Sequence, residues 1–404
     1  MAPSKPSRKR PRRLDQSMMI RNQTHVSTAL ATHLLPNKHD SNVVFSPLSI
    51  QVALSVLSAG CKGETLDQLL ALLKADTTDD LSSLYLQLAS SIVADGSPSG
   101  GPKLSSVNAV WVPKTLSLKP SFKQAMDTVY RAACKQVDFG KRFKEVARKV
   151  NSWAKKETNG LIKEVITAEE VSDDTMLILA NAIYFKGTWS QQFETSLTEE
   201  GDFHLLNGNK VKVPFMTNYE NQFVHEYDDF KVLGLPYSHG QDKRKFTMYF
   251  YLSDAIDGLP SLINKIGSTS NFFDHHIPHK KVRVREFFIP KFKIEFGFEA
   301  SGMLKELGLV LPFKVGDRFT EMVDSPVGKG LYVSTIQHKS LVEVNEEGTE
   351  AAAVTVVREP KCPRRAPSTF VDFVADHPFL FVIREDVTGV VLFMGQVSDP
   401  SLSI

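Results

Sequence analysis

The sequence predicts an α+β fold, on three observations. Helical periodicity concentrates before about residue 175, strand-like patterning takes over after it, and neither a regular β–α–β alternation nor an internal repeat runs through the 404 residues. The first clear helix starts at Ser46-Pro47, where the serine can cap free amides and the proline suits the first helical position. Leu48, Ile50, Val52, Ala53, Leu54, Val56 and Leu57 then cover most of its circumference before Gly60, which predicts burial on nearly all sides. An amphipathic helix follows through Leu66, Leu69, Leu70 and Leu73. Residues 96–102 have loop chemistry, and Val107, Ala109 and Trp111 alternate in the strand-like run behind them. Residues 144–162 read as a surface helix, with Val146, Val150 and Trp153 on one stripe and Gly160 as its stop.

In the second half, residues 176–185 read as a fully buried strand or a short helix. Phe288, Phe292, Ile294 and Phe296 belong to a segment that alternates after Pro290, and residues 379–383 and 390–397 form a hairpin pattern with a longer loop. Length alone would suit two or three average domains, but one large domain is allowed, and residues 17–404 are assigned to it.

Charge separates a tail from this body. Lys5, Arg8, Lys9, Arg10, Arg12 and Arg13 give the first thirteen residues six bases and no acid, while residues 14–404 carry 42 bases against 46 acids. The body therefore gives no reason to expect a nucleic-acid partner, and residues 1–16 are assigned as a basic, disordered tail. No apolar run follows the charged N-terminus, so the expectation is a chain without a signal peptide or membrane partner. Cys61, Cys134 and Cys362 are too few and too widely spaced for a disulfide framework or a zinc site, which favours a reducing compartment. A cytoplasmic protein is expected, with the stretch from Ser7 to Arg13, which resembles a nuclear-localisation signal, offering a route to the nucleus.

Enzyme signatures are absent. Residues 96–101 have the outer spacing of a phosphate loop, but Pro102 stands where the lysine is needed. Neither GxSxG nor HExxH occurs. His275, His276 and His279 cluster in sequence, but Pro278 between them argues against a shared helical face for metal binding. No metal and no cofactor is expected, and no catalytic residue is assigned. The informative stretch is residues 346–372. Thr349, Ala351, Ala353, Thr355 and Val357 would make one small, uncharged strand face, yet residues 358–367 hold three prolines and four bases and must be exposed.

That stretch, together with Asp372-Phe373-Val374-Ala375-Asp376-His377-Pro378-Phe379, resembles the serpin superfamily and is most similar to plant serpins of the Z type. The likeness extends through Phe45-Ser46-Pro47-Leu48-Ser49, Asn181-Ala182-Ile183-Tyr184-Phe185-Lys186-Gly187-Thr188-Trp189, Val213-Pro214-Phe215-Met216, Ile289-Pro290-Lys291-Phe292 and Leu392-Phe393-Met394-Gly395-Gln396-Val397. The resemblance implies three β-sheets, eight or nine helices and an exposed reactive-centre loop over residues 348–372. It also implies a monomeric inhibitor that a protease cleaves, whose freed hinge then inserts into the large sheet, an established instance of strand addition and of released strain. A strand of about fifteen residues spans roughly 50 Å and releases on the order of 10 kcal/mol.

The resemblance implies a hinge at Gly348, Thr349, Ala351, Ala352 and Ala353. It implies a shutter, where the sheet parts, at Ser46, Ser49, Asn181 and His338. It further implies a breach at Trp189, with Lys291 and Glu346 paired there in some members. Family spacing sets the scissile bond at Cys362-Pro363, with Lys361, Arg364 and Arg365 as alternative bait residues. Many plant serpins resemble one another in having Leu-Arg at this point. Pro363 departs from them, and its ring removes an amide donor and fixes φ. The implied target is a trypsin-like serine protease or a papain-like, Lys/Arg-directed cysteine protease. The alternative is a non-inhibitory serpin that serves as a substrate or binding protein.

Overall fold

The computed structural model describes residues 16–324, 326–349 and 370–402. In the N-terminal part α1 (Gln16–Leu34) leads through β1 (Val43–Phe45) to α2 (Pro47–Ser58), α3 (Gly63–Leu73) and α4 (Thr78–Ser91). Then come β2 (Lys103–Pro113), α5 (Pro120–Ala125), β3 (Ala132–Val137), α6 (Phe139–Glu157) and β4 (Ile178–Thr188). Five strands follow: β5 (Glu199–His204), β6 (Lys210–Met216), β7 (Gln222–Glu226), β8 (Phe230–Pro236) and β9 (Phe246–Ser253). Helices α7 (Leu259–Ser268) and α8 (Phe272–His275) precede β10 (Lys281–Val282), β11 (Val284–Pro290), β12 (Phe292–Glu299) and α9 (Ser301–Glu306). The chain closes with β13 (Thr335–Val344), β14 (Gly348–Thr349), β15 (Val371–Val374), β16 (Phe379–Glu385) and β17 (Val391–Val397).

The strands form three sheets. One has seven strands in the order β1-β17-β16-β9-β8-β7-β10, one has four in the order β15-β11-β6-β5, and one has six in the order β12-β13-β14-β4-β2-β3. Local chemistry explains the key elements. Ser46 Oγ accepts from the Ser49 amide at 3.2 Å and Pro47 opens α2, whose side chains are almost all buried as its all-round apolarity predicts. Strand β4 lacks polar alternation because both faces are covered. Leu179, Ile183 and Phe185 enter the main core, while Ile178, Ala180 and Ala182 meet Val146, Val150 and Trp153 of α6. The strand reading of residues 176–185 is therefore the one observed.

Several elements differ from the sequence reading. Helix α6 starts at Phe139, five residues before the expected Lys144, because Asp138 caps the Lys141 amide at 3.1 Å and a kink at Arg142 breaks the apolar stripe. It ends at Glu157, five residues before the expected residue 162, with Asn159 and the expected stop Gly160 both at positive φ just beyond. Helix α1 carries no strong apolar stripe and escapes periodicity analysis. Its buried face includes Gln23, which donates to Val391 O at 3.2 Å, and Ser27. Gln16, assigned to the tail, is its first residue. The alternating segment around Pro290 is two strands in different sheets, β11 and β12, separated by Lys291. Cys61 is buried and Cys134 half-buried. Among the described residues no helix is long and apolar enough to cross a membrane.

Candidate functional site

The six-stranded sheet has a seam. Strands β13 and β4 pair directly and in parallel over seven rows, from Thr335 opposite Ile178 to Leu341 opposite Tyr184. Above those rows β14 is wedged between them, antiparallel to both, with Thr349 opposite Val344 on one side and Gly187 on the other. The wedge forms because the chain turns back sharply after β13. Asn345 Oδ1 accepts from the Glu347 and Gly348 amides at 3.1 and 3.2 Å, an Asx-type turn that returns the backbone into the sheet. Gly348 sits at φ 154°, and a Cβ there would fall on the Gly187 carbonyl oxygen, so glycine is required. The sequence reading makes all of residues 348–372 an exposed loop. Its two ends lie in sheets instead, Gly348 and Thr349 in β14 and Val371 and Asp372 in β15.

Around the wedge the structure gathers Trp189, Lys291, Glu346 and Thr349. Trp189 donates its amide to Glu347 O at 2.8 Å and its ring Nε1 to Asn345 O at 2.9 Å. Its ring stacks on Tyr237 with centroids 4.5 Å apart, and the Tyr237 hydroxyl meets Thr349 Oγ1 at 2.6 Å. Lys291 and Glu346, which sequence alone could not bring together, form an ion pair at 2.9 Å. Thr198 Oγ1 also donates to Glu346 at 2.8 Å. Burial pushes the Glu346 carboxyl upward, but the bonds from Lys291 and Thr198 outweigh it and hold the group below the ordinary glutamate range.

Some six residues down the seam, roughly 20 Å at strand spacing, lies a second polar cluster. His338 of β13 and Asn181 of β4 stand opposite each other, and His338 Nδ1 bonds Asn181 Oδ1 at 2.7 Å. His338 Nε2 accepts from the Ser46 amide at 3.1 Å, so the proton resides on Nδ1 and the ring is neutral. Burial pushes its pKa down to about 3. Ser49 Oγ donates to the same Asn181 Oδ1 at 2.6 Å, and Asn181 Nδ2 donates to Asn108 Oδ1 at 2.6 Å. Ser340 Oγ donates to Val44 O at 2.8 Å. The first turn of α2 is thereby bonded to both strands of the seam.

Thus Ser46, Ser49, Asn181 and His338 form one cluster, and Trp189, Lys291, Glu346, Gly348 and Thr349 another. Ala351, Ala352, Ala353, Lys361, Cys362, Pro363, Arg364 and Arg365 lie outside the described residues, as does the basic tail through residue 15. Sequence reasoning missed Asn345, Tyr237, Thr198, Asn108 and Ser340. Only Asn345, in Asn-Glu-Glu-Gly, carried a local turn signal. The His275, His276 and His279 group does not converge: His276 stacks on Phe272 at 4.1 Å, and among the described residues no group of three metal-ligating side chains occurs.

Comparison with known proteins supplies the family. The pattern described as Serpin (serine protease inhibitor) matches residues 21–400. Serpin-ZX of Arabidopsis thaliana is 55% identical over 387 residues, covering 95% of this chain and 98% of that protein. Serpin-Z4 of the same plant is 48% identical over 393 residues, covering 95% and 98%. The solved structure of Arabidopsis AtSerpin1, described as its native stressed conformation, superposes with a TM-score of 0.89 at 53% identity, covering 96% of this chain and 99% of that one.

Proposed function

The chain belongs to the serpin family of serine protease inhibitors, and on that footing we propose that it traps proteases as a suicide substrate. The observation that carries this reading is the wedge: β14 is already paired on both sides at the top of a seam whose lower seven rows remain closed. A protease nucleophile attacks a carbonyl in the loop, the peptide bond breaks, the new amine leaves and an ester or thioester holds the protease to the severed hinge. The strand behind β14 then runs down the seam, replacing one parallel pairing by two antiparallel ones.

Register tells where that strand arrives. Continuing the pairings of Thr349 sets residue 351 opposite Val342 and Phe185, 353 opposite Ser340 and Ile183, and 355 opposite His338 and Asn181. Alanines at 351 and 353 are small enough to pass against the core, and Thr355 brings a hydroxyl to the polar cluster. In this reading Gly348, Thr349, Ala351, Ala352 and Ala353 are the hinge. Trp189, Lys291 and Glu346 form the breach, and Ser46, Ser49, Asn181 and His338 the shutter. The body from residue 16 acts as one domain and a monomer, in the cytoplasm, with the basic tail as a route to the nucleus.

The bait is Lys361 or Cys362, with Arg364 and Arg365 behind Pro363, so the target is a trypsin-like serine protease or a Lys/Arg-directed, papain-like cysteine protease. Pro363 favours a second reading, a non-inhibitory serpin, because it removes an amide donor beside the expected bond. Incubation with trypsin- and papain-like proteases discriminates the two. Inhibition gives a denaturant-resistant covalent complex, and mass spectrometry of the released peptide identifies the bond cut. Cleavage by both classes with no complex would overturn inhibition and leave the second reading.

A further inference from the structure

Helix α6 buries Val146, Val150 and Trp153 against the sheet and turns a strongly basic face to solvent. Beyond the kink at Arg142, Lys144, Arg148, Lys149, Lys155 and Lys156 are all exposed, and Glu145 and Glu157 are the only acids of the helix. At 3.6 residues per turn, Lys144, Arg148 and Lys155 fall on one stripe and Lys149 and Lys156 on a second, roughly a quarter of the circumference away. Between the stripes lies a shallow open cleft of about 370 Å³ lined by Glu145, Arg148, Lys149 and Ser152.

These charges are not engaged within the molecule. Among the described residues the ion pairs of this region are Lys114 with Asp138 and Arg142 with Glu145, at the start of the helix, and none of the five later cations has a carboxylate partner. Lys144 and Arg148, four residues apart on one face, repel each other, a cost that an anionic occupant removes. The excess of acids over bases in residues 14–404 hides this local concentration.

The surroundings narrow the choice of anion. Asn151 clamps the following chain beside the helix, donating to Ile166 O at 2.8 Å and accepting from the Val165 and Ile166 amides at 2.9 and 3.1 Å. That chain exposes Glu164, Glu169, Glu170, Asp173 and Asp174, which oppose a broad polyanion such as a nucleic-acid duplex but leave room for a single extended chain in the cleft. Glu145 repels a bare phosphate chain there, yet accepts from a backbone N–H, which a peptide carries at every residue but proline. No large apolar side chain of the helix is exposed, so the occupant is held by charge without an apolar anchor.

We propose that this face of α6 binds an extended, Glu/Asp-rich peptide segment of a partner protein. Residues 143–157 rise about 22 Å, the length of about seven extended residues. Successive side chains of such a segment point to opposite sides, so its carboxylates meet Arg148 and Lys155 on one side and Lys149 and Lys156 on the other. Binding here involves neither the reactive loop nor the seam, and it stands apart from the inhibitor reading.

The test uses the uncleaved full-length protein and a fluorescent heptaglutamate peptide, followed by anisotropy at about 0.01 M and about 0.15 M salt. The peptide binds saturably and more weakly at the higher salt. Arg148→Ser/Lys149→Ser weakens it roughly tenfold, the effect of two exposed charge pairs at the upper end of their range, with thermal unfolding unchanged. Lys155→Ser/Lys156→Ser does the same if the first variant fails to fold. Arg8→Ser/Lys9→Ser, in the basic tail, leaves the peptide affinity unaltered, and a labelled DNA duplex is insensitive to the α6 substitutions. Absence of saturable binding, undiminished binding in a folded α6 variant, or an equal loss on the tail substitution would overturn the proposal. A duplex that loses affinity alongside the peptide in the α6 variants would overturn it in favour of nucleic acid.

Discussion

His338 holds the seam closed as a neutral ring, donating to Asn181 and accepting from the Ser46 amide, and both bonds need the proton to stay on Nδ1. Its pKa is depressed in the closed fold, to about 3 against an ordinary 6.5. Its contribution is therefore complete above about pH 6.5 and is lost progressively as pH falls toward 3, because any opened or unfolded state takes up the proton first. We expect Tm to fall through that acid range more steeply in the wild type than in His338→Gln. Equal slopes would remove the histidine from the account. At the upper cluster, Gly348→Val forces a side chain onto the Gly187 carbonyl at a φ that disfavours it. The variant should expel β14, lose the Thr349–Tyr237 bond, change the tryptophan emission through Trp189 and cost about 1–3 kcal/mol. An unchanged emission spectrum and Tm would contradict that. Family resemblance marked the principal seam residues, whereas Tyr237, Asn108 and Ser340 were silent because their partners are brought near only by the fold. Tyr237 meets Thr349 from 112 positions away.

At the scale of elements, the decisive object is the hairpin of β13 and β14. Of the small strand face expected from the sequence only Thr349 lies among the described residues, and its register was not legible, since the Asn345 turn and the Gly187 contact fix it. That register predicts an effect for a single charge. Thr355→Arg should let the first residues enter and then stall beside His338 and Asn181, because an unpaired cation cannot be desolvated there. The expected outcome is normal cleavage with little or no covalent complex, measured as a sharply raised stoichiometry of inhibition. A Thr355→Arg protein that traps protease as well as the wild type would exclude insertion past this row. Elements with strong periodicity or capping chemistry, such as α2 and the β16–β17 hairpin, were readable in advance. Helix α1 was not, because its buried positions include Gln23 and Ser27, and β1 was not, because three residues of apolar chain have no period.

For the whole molecule, the three sheets are separate hydrogen-bonded units, and the seam between β13 and β4 lies in the six-stranded one. The α+β class was visible in the order of helical and strand patterns, but the sheet order was not. Strands β2 and β3 of the early half join β12 and β13 of the late half through pairings that no local pattern encodes. The central claim is that the intact fold stores free energy as an unfilled seam. Calorimetry of the protein before and after a single cut between residues 357 and 366 tests it most directly. Filling the seam adds on the order of 10 kcal/mol of ladder bonds, so the cut protein should unfold at a Tm higher by roughly 10 °C. A cut protein that melts at the same temperature as the intact one, or below it, would contradict the account.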